Sequence, residues 1–424
     1  MTATLATPRQ ADVAAGNQLL DESEALRGNT IRLMGLDETQ AAATEGHTEL
    51  IERTFPAIDA AGLEYGEYVG FVALTNARNP ITGKLRERGE YKGGIRLNPL
   101  VCGPEVSWLS RGMLDKLDLF DLPLEGGKAG ILVPEGDTAS SLDIMRGFAL
   151  AFRDILGSRY VGATDIGTYR PEMLTVEQSL YRGCVTGTGA LEGQSETTGF
   201  GLAVATKLMS DHFGHPLLPG STVAVHGFGK LGTVVARFLM QFGCRVQLVA
   251  DQHGGVANEN GLDINALINY VGAQGRGGSV VGFPSADSVT SAEVLKADVD
   301  VLELASTENV VNLDNAHLID ANVVGVGANG GIQQSAESRV RGHKGNFRYD
   351  SAAGVLGSHL EMRLFRGLFQ GGRDEVLGEV RRSFQVVFGE IISAMERYDT
   401  DFTHAIQCVT YEKRLRSLGM PLDV

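Results

Sequence analysis

The chain has 424 residues, of which 43% are hydrophobic and 21% charged. These values are ordinary for globular proteins and exclude a disordered or fibrous chain, and the length predicts two to three domains. The net charge is −15, from 37 basic and 52 acidic residues. This balance argues against nucleic acid or an anionic membrane as the main partner, because phosphate groups are bound by clustered Lys and Arg.

Hydropathy and the positions of cysteine and histidine bear on the location of the protein and on its redox and metal chemistry. No apolar run approaches the roughly 18 residues of a membrane span, and the first residues lack the basic and then apolar pattern of a secretory signal. The four cysteines are far apart and the histidines are scattered, so neither a disulfide framework nor a metal site is predicted. We therefore expect a cytoplasmic protein with reduced cysteines and no membrane contact.

In the first half of the chain, residues 1–60 show helical periodicity broken by polar stretches, and Asp37 followed by Gln40 predicts a helix start. Residues 67–76 are apolar and rich in β-branched or aromatic side chains, which predicts a strand before a turn-rich stretch. Residues 104–120 predict a helix. The glycine-rich segment 122–130 then leads into a strand-like ILVPEG.

A clearer unit begins at residue 221. STVAVHGF and CRVQLVAD read as apolar strands, and TVVARFLMQF between them has helical spacing. A strand, a helix and a strand in about 30 residues predict a βαβ unit with a parallel sheet. Short apolar strands follow at 299–305 and 322–326, and residues from 373 onward have a helical pattern.

The turn of this βαβ unit has the pattern GxGxxG. The first glycine allows a tight turn, the second lets the backbone approach a pyrophosphate, and the third lets helix and strand pack closely, with the helix N-terminus facing the negative charge. The predicted dinucleotide-binding residues are Gly227, Phe228, Gly229, Lys230, Leu231 and Gly232. A glycine-rich turn without a ligand is the alternative.

The acidic residue at the end of the next strand bears on the choice of cofactor. Asp251 would accept hydrogen bonds from the ribose hydroxyls and repel a 2′-phosphate, which slightly favours NAD over NADP. Lys230, within the phosphate loop, points the other way because it would meet extra phosphate charge. The predicted cofactor is therefore NAD or NADP.

Three lysines stand in unusual settings: Lys92 in YKGGIR, Lys116 in MLDKLDL and Lys128 in LPLEGGKAG. Glycine pairs beside Lys92 and Lys128 suit a backbone pressed against a ligand, and desolvation would lower the pKa of Lys128 toward that of a working base. Two lysines for carboxylates and one for chemistry would suit a dicarboxylic amino acid. Asp165, in TDIGT, is either a turn-forming aspartate or a proton shuttle beside Lys128. Solvated surface lysines are the ordinary alternative.

Taken together, these segments resemble the Glu/Leu/Phe/Val dehydrogenase family from about residue 30 to the C-terminus. The matching segments are YKGGIRLNP, LDKLDL, LPLEGGKAG, TDIGT, ETTGFGLAVA, VAVHGFGKLG, VGANGG and GVLGSHLE. The resemblance implies an α/β fold with two domains and a homohexameric assembly. Residues 1–196, with a C-terminal helix at 395–424, would form the substrate-binding and oligomerisation domain, and residues 197–394 a Rossmann-type NAD(P)-binding domain.

The resemblance also implies a role for each substrate-side residue. Lys92 and Ser358 would hold the side-chain carboxylate of glutamate, and Lys116 would hold the α-carboxylate. Lys128 would activate the water that attacks the imine. Asp165 would move protons to and from the substrate nitrogen.

On the cofactor side, the resemblance implies that Thr198 lies near the nicotinamide amide and that Asn329 also contacts the cofactor. The chain departs from the family pattern here, since the acid Glu303 stands near the end of a strand whose proline is lost. Departures also occur on the substrate side, at 351–354 and at His359.

The implied function is reversible NAD(P)-dependent oxidative deamination of an L-amino acid, with L-glutamate first, to its 2-oxo acid and ammonia. Three alternatives remain from the residues. They are a dehydrogenase for a different amino acid in a specialised pathway, a non-catalytic relative acting as a regulatory subunit, and a dinucleotide-binding reductase without ammonia chemistry.

Overall fold

A computed structural model of the chain describes residues 10–186, 194–275, 277–341, 346–348 and 372–422. These residues divide into two compact units. The first comprises 10–194 together with 406–422, and the second comprises the described residues between 195 and 405. None of the described helices is long and apolar enough to cross a membrane.

The first unit is built on a five-stranded sheet in the order β1-β2-β4-β3-β5. Its strands are β1 (Gly46–Ile58), β2 (Glu64–Ala77), β3 (Tyr91–Asn98), β4 (Glu125–Leu132) and β5 (Tyr160–Thr164). Strand β2 is antiparallel to β1 and β4, whereas β3 runs parallel to both of its neighbours, β4 and β5. Because β3, β4 and β5 are parallel, their carboxyl ends lie at the same edge of this mixed sheet.

Helices cover both faces of this sheet. They are α1 (Gln10–Met34), α2 (Glu38–Thr44), α3 (Gly103–Leu119), α4 (Ser141–Ala151) and α5 (Arg170–Leu180). Helices α4 and α5 contribute Phe148 and Met173 to a core with Phe55, Tyr68 and Ile95 of the sheet. The predicted start of α2 is confirmed, because the Asp37 side chain accepts a hydrogen bond from the Gln40 backbone amide at 2.8 Å.

Two sequence expectations for this unit are wrong. Residues 46–58 form the edge strand β1 and not a helix, because ELIERTF also has the alternation of a strand with one covered face. Pro56 is accommodated where the β1–β2 register shifts between Phe55 and Ala57. The glycine-rich segment 122–130 does not merely precede a strand, since β4 begins at Glu125 and is buried along its whole length.

The second unit contains a seven-stranded sheet in the order β12-β11-β10-β6-β7-β8-β9. Its strands are β6 (Thr222–His226), β7 (Arg245–Asp251), β8 (Gly254–Ala257), β9 (Asp287–Val289), β10 (Val301–Leu304), β11 (Val323–Val326) and β12 (Asn346–Arg348). Strands β12, β11, β10, β6 and β7 are parallel, and β8 and β9 are added antiparallel. The predicted βαβ unit is confirmed, and this is the doubly wound topology of a dinucleotide-binding fold.

The remaining helices lie mostly in the second unit. They are α6 (Gln194–His212), α7 (Lys230–Gln241), α8 (Ile264–Ala273), α9 (Ser291–Leu295), α10 (Glu337–Arg341), α11 (Arg373–Tyr398) and α12 (Phe402–Ser417). The division between the units falls within α12, so its greater part, from Ile406, belongs to the first unit. All four cysteines are buried, and none of them forms a disulfide bond within the described residues.

Buried ion pairs hold α12 to the first unit. The Arg414 guanidinium donates to Asp118 at 2.7 Å, to Asp115 at 2.6 Å and to the Thr44 carbonyl at 2.6 Å. Asp118 also pairs with Arg86 at 2.7 Å, and Arg86 with Glu125 of β4 at 2.9 Å. This cluster, which we call the Arg414 network, joins α12, α3 and β4 through charges that are almost entirely buried, except for Asp115.

Candidate active site

The sheet of the first unit places Lys92, Lys128 and Asp165 on one face. Lys92 of β3 pairs with Gly126 of β4 and with Val161 of β5. Side chains alternate between the two faces of a sheet, so Lys128, two residues after Gly126, and Asp165, four residues after Val161, lie on the same face as Lys92. Helix α3 covers this face, because a methyl group at Gly126 would lie 2.9 Å from Leu114 of α3. Lys116 is half-buried on the same helix.

Lys128 and Asp165 form a direct ion pair between Nζ and Oδ2, and both side chains are largely buried. The Asp165 carboxylate also accepts from the Ile166 backbone amide at 2.6 Å and lies 3.4 Å from Nε of Arg96. Gly94 leaves room for this carboxylate, since a methyl there would lie 2.8 Å from Asp165 Cβ. The structure therefore brings together the two residues for which sequence analysis predicted proton chemistry.

The electrostatics of this pair set up a base and an anion. Burial lowers the pKa of Lys128, with Asp165 opposing the shift and Arg96 adding to it. Burial alone would raise the pKa of Asp165, but Lys128 and Arg96 outweigh it and hold that pKa well below its usual range. Asp165 is thus an anion, and Lys128 loses its proton more readily than an exposed lysine does.

Arg96 was not predicted as a site residue. It is nearly buried, and besides contacting Asp165 it pairs with Glu105 in the first turn of α3. It lies in the YKGGIR segment, two residues beyond Gly94 on the lysine face of β3. Strand alternation would therefore have identified it, had that segment been assigned as a strand.

Lys92 is buried, with 1% of its surface exposed. Its ammonium donates to Thr186 Oγ1 at 2.7 Å, to the Gly162 carbonyl at 3.1 Å and, at the limit of bonding distance, to the Val161 carbonyl at 3.5 Å. Thr186 was not predicted either, and no local pattern marks it, because it reaches Lys92 only through the fold. The predicted partner Ser358 lies outside the described residues, as do 351–354 and His359.

In the second unit, the predicted phosphate loop joins β6 to α7. Gly227 has φ +107°, a conformation that favours glycine, and a methyl at Gly232 would lie 2.8 Å from the carbonyl carbon of Gly227. A methyl at Gly229, the residue before α7, would meet no described atom within 4 Å. An open space beside this backbone at a helix N-terminus fits the pyrophosphate of a dinucleotide.

The other predicted cofactor residues surround this loop in different ways. Phe228 is buried, so its side chain packs in the unit. A methyl at Gly327, just after β11, would meet both Leu231 of α7 and Leu202 of α6. The helix that carries Thr198 and the segment that carries Asn329 therefore converge near the start of α7.

Asp251 ends β7, as predicted, but its carboxylate already has backbone partners. Oδ1 accepts from the His253 amide at 2.8 Å, and Oδ2 accepts from the Val280 amide at 2.7 Å. These bonds fix the segment around Val280 against the end of the strand. A carboxylate oxygen has a second lone pair, so ribose hydroxyls would still find acceptors there.

Glu303 belongs to β10, and its fully buried side chain packs between the sheet and α6. Its Oε1 accepts from Thr206 of α6 at 2.6 Å, and a methyl at Gly325 of β11 would lie 2.6 Å from its carboxyl carbon. Burial raises the pKa of Glu303 to about 8, against a smaller opposing effect of the Thr206 hydrogen bond. No group of His, Cys, Asp and Glu suited to a metal ion occurs in the part of the chain that the structure describes.

Family models match both units. The model described as Glutamate/Leucine/Phenylalanine/Valine dehydrogenase matches residues 189–416, and that of the Glu/Leu/Phe/Val dehydrogenase dimerisation domain matches 85–181.

Curated relatives agree with these models. The NADP-specific glutamate dehydrogenase A1 of Halobacterium salinarum is 34% identical over 328 residues, covering 73% of this chain and 78% of that protein. The glutamate dehydrogenase of Thermotoga maritima is 31% identical over 356 residues, covering 78% and 84%.

Solved structures show the same fold. The hetero-hexameric glutamate dehydrogenase of Thermus thermophilus, in a Leu-bound form, has a TM-score of 0.81 at 22% identity over 94% of this chain and 96% of that one. The glutamate dehydrogenase of Peptoniphilus asaccharolyticus has a TM-score of 0.71 at 22% identity over 95% and 98%. With the fold, the family models and these relatives in agreement, the chain belongs to the Glu/Leu/Phe/Val dehydrogenase family, and it is an NAD(P)-dependent oxidoreductase of the amino acid dehydrogenase class.

Proposed function

We propose that the protein catalyses the reversible oxidative deamination of L-glutamate to 2-oxoglutarate and ammonia. The observation that carries this proposal is the buried pair of Lys128 and Asp165, on the same sheet face as Lys92 and beneath the helix that bears Lys116. Several curated relatives are named glutamate dehydrogenases, which supports the choice of substrate.

The chemistry follows from the protonation states of the pair. The amino acid reacts with its amino group neutral, after Asp165 has passed the ammonium proton to solvent. A nicotinamide dinucleotide, when bound, would accept the α-hydrogen as hydride, which leaves an iminium. Lys128, as the free amine, takes a proton from the water that adds to the iminium carbon. Asp165 relays this proton from Lys128 to the nitrogen of the carbinolamine. Lys128 then takes the hydroxyl proton as the carbon–nitrogen bond breaks, so the carbonyl of the 2-oxo acid forms and ammonia leaves.

Binding roles are assigned to the other predicted residues. Lys116 would pair with the α-carboxylate, and Lys92, with Ser358, would meet the side-chain carboxylate. The Lys92 ammonium has its donors directed at Thr186 and at backbone carbonyls. A substrate carboxylate would therefore have to replace at least one of these bonds. We assign the substrate-binding and oligomerisation role to residues 1–196 with 395–424.

Cofactor residues form a second group within 197–394. Asp251 supports NAD, whereas the names of two relatives, NADP-specific and NAD-specific glutamate dehydrogenases from Halobacterium salinarum, span both choices. The loop from Gly227 to Gly232 would hold the pyrophosphate, and Thr198 and Asn329 would meet the nicotinamide end.

For the assembly we propose a homohexamer located in the cytoplasm. The Thermus thermophilus neighbour is named as a hetero-hexamer, which supports the number of subunits and raises the question of a second kind of chain. The partners would then be copies of this chain, together with the amino acid, its 2-oxo acid and ammonia.

A second candidate is a dehydrogenase for another amino acid. It is favoured by the Lys92 ammonium, which Thr186 and the Gly162 carbonyl already satisfy within the protein. An ammonium so bound offers less attraction to an acidic side chain than one that must find its partner in the substrate.

The test is initial-rate reductive amination with ammonium, offering 2-oxoglutarate or a panel of apolar 2-oxo acids with NADH or NADPH. Strong selection of 2-oxoglutarate is the expected result, and activity on an apolar acid alone would favour the second candidate. Lys128→Gln should lower kcat by at least about 100-fold, the usual contribution of a general base. Lys84→Gln is the control, because Lys84 is exposed in the same unit. Absence of turnover with intact cofactor binding would instead indicate a non-catalytic subunit.

A further inference from the structure

One imidazole connects three segments at the carboxyl end of the second sheet. His226 is the last residue of β6, immediately before the phosphate loop. Its Nδ1 lies 3.0 Å from Ser306 Oγ, just after β10, and its Nε2 lies 2.8 Å from Ser291 Oγ, the first residue of α9. Both ring nitrogens are therefore engaged by hydroxyl groups from different segments.

The backbone beside this imidazole is tightly packed. The Ala305 amide donates to the His226 carbonyl at 2.9 Å. A methyl group at Gly227 would lie 2.6 Å from the Ser306 nitrogen, so the first turn of the phosphate loop rests directly on the segment after β10. Any shift of Ser306 must therefore move the phosphate loop or open a gap beneath it.

The contact between His226 and Ser306 lies where doubly wound sheets bind their ligands. Strands β6 and β10 are neighbours, and the chain order turns in opposite directions on their two sides, toward β7 and toward β11. In doubly wound sheets, ligands bind in the crevice at such a switch point, outside the carboxyl ends of the strands. His226 stands at that end of β6, paired in register with Leu304 of β10.

The ring chemistry suits a fixed bridge. Burial lowers the pKa of His226, so the ring is neutral near neutral pH, with one N–H donor and one bare acceptor nitrogen. A serine hydroxyl can either donate or accept, so both contacts are satisfied by either tautomer. A phenylalanine would place a somewhat larger flat ring at the same position and form neither bond.

We propose that His226 is a positioning residue for the dinucleotide, holding the segment at Ser306 against the phosphate loop so that the loop is set for the cofactor before it binds. This inference rests on the use of NAD(P) by the family and is independent of the glutamate assignment. Cofactor affinity measured without amino acid or 2-oxo acid therefore tests it separately.

The same two strands offer a matched control at their opposite end. There, the Thr222 amide and hydroxyl both donate to the Asp300 carboxylate, at 2.7 and 3.0 Å, and the Asp300 amide donates to the Thr222 hydroxyl at 3.0 Å. Thr222→Val removes the hydrogen bonds of the Thr222 hydroxyl, which join β6 to Asp300 just before β10. His226→Phe removes the hydrogen bond that joins β6 to Ser306 just after β10. Only the second change lies at the ligand-binding end.

The experiment compares the full-length protein with His226→Phe, Ser306→Ala, the double variant and Thr222→Val. Dissociation constants for NADH and NADPH are measured by fluorescence titration, and unfolding midpoints are measured in parallel. We expect the constants to rise about fivefold, the equivalent of one hydrogen bond of about 1 kcal/mol, in both His226→Phe and Ser306→Ala. The double variant should bind the cofactor no more weakly than His226→Phe, because Ser306→Ala removes only a contact that His226→Phe has already removed.

In steady-state kinetics, the KM for the reduced cofactor should rise in His226→Phe while the KM for ammonium stays the same. Thr222→Val should lower the unfolding midpoint and leave cofactor affinity unchanged. The proposal would be overturned if His226→Phe lowered only the unfolding midpoint, or if Thr222→Val weakened cofactor binding by the same factor.

Discussion

At the scale of single residues, Asp165 is held by two cations of different kinds. Lys128 can lose its proton during the reaction, whereas Arg96 keeps its charge at any working pH. When Lys128 becomes neutral, Arg96 continues to stabilise the Asp165 anion. Glu105 in turn balances part of the arginine charge. The chain thus has a fixed positive charge beside the base, and its neighbours should control the pH at which that base works.

This arrangement predicts opposite pH shifts for two substitutions. Arg96 lowers the pKa of Lys128 and Glu105 raises it. Arg96→Met should therefore raise that pKa and move the rising limb of the pH profile of kcat/KM to higher pH. Glu105→Gln should lower the same pKa and move the limb to lower pH.

The measurement is kcat/KM for oxidative deamination of L-glutamate from pH 6 to pH 10, the direction in which Lys128 acts as the free base. Arg86→Met is the control, because Arg86 is a buried arginine with carboxylate partners in the Arg414 network. It should lose stability without moving the limb. Shifts of the same sign in Arg96→Met and Glu105→Gln would contradict the assignment of the limb to Lys128.

At the scale of elements, strand β3 depends on two adjacent glycines for different reasons. A methyl at Gly93 would lie 2.5 Å from the carbonyl carbon of Gly127 in the neighbouring strand, and the backbone cannot move aside. The three atoms nearest to a methyl at Gly94 would all belong to the side chain of Asp165, with its Cβ at 2.8 Å. Gly93 therefore allows β3 and β4 to pair, and Gly94 leaves room for the Asp165 side chain of the candidate active site.

We expect Gly93→Ala to lower the free energy of unfolding by more than about 2 kcal/mol, or to prevent folding. Gly94→Ala should fold and bind NADH normally but lose at least about tenfold in kcat, because Asp165 is displaced. Gly112→Ala on α3 is the control, since a methyl there meets no described atom within 4 Å. It should leave activity unchanged and stabilise the helix by about 0.5–1 kcal/mol. Loss of kcat in Gly112→Ala, or full activity in Gly94→Ala, would refute this division.

Strand β10 carries a buried acid that should make stability depend on pH. The folded-state pKa of Glu303, about 8, lies above the ordinary value of 4.5, so the folded protein binds the proton more tightly. Its contribution is fully present below about pH 4.5, declines as the pH rises and is lost above about pH 8. Glu303→Gln lacks this titration, so its stability relative to the natural protein should rise between those limits, by on the order of 4 kcal/mol.

Urea unfolding at several pH values between 5 and 9 measures this difference. Glu259→Gln, at an exposed position of the same unit, should show no such trend. A constant difference between Glu303→Gln and the natural protein across the range would mean that Glu303 is already ionised inside the sheet.

The same elements show how far sequence reasoning reaches. The βαβ unit was predictable because its apolar strands, glycine turn and helix agree at every level. Strand β3 was not predictable, because its glycines and charged residues have low strand propensity. Its two glycines are required by close contacts with Gly127 and Asp165, which only the folded structure shows. The contact of Thr186 with Lys92 and that of the Val280 amide with Asp251 were also beyond reach, since each joins residues distant in the chain.

At the scale of the whole molecule, the Arg414 network makes the first unit depend on α12, which follows the second unit in the chain. Removing one member of a buried ion pair leaves a charge without its partner and costs about 3–5 kcal/mol. Arg414→Met should therefore weaken the first unit by that amount and raise hydrogen exchange in α3, while exchange in β6 and β7 stays the same.

Arg416→Met serves as the control, because Arg416 is exposed two residues further along the same helix. Hydrogen exchange followed by mass spectrometry reports each segment separately. Equal loosening of α3 and β6 in Arg414→Met would show that the network stabilises the whole chain and not the first unit alone.

The network also has a consequence for synthesis on the ribosome. Asp118 and Arg414 are separated by 296 residues, so the aspartate is made long before this partner exists. At about 5–20 residues per second, the interval is roughly 15–60 s, far longer than a small domain needs to fold. During that time, Asp118 of the nascent first unit lacks its Arg414 partner. Helix α12 therefore completes the first unit only after the second unit has been synthesised, which ties the maturation of Lys116 and its helix to the synthesis of α12.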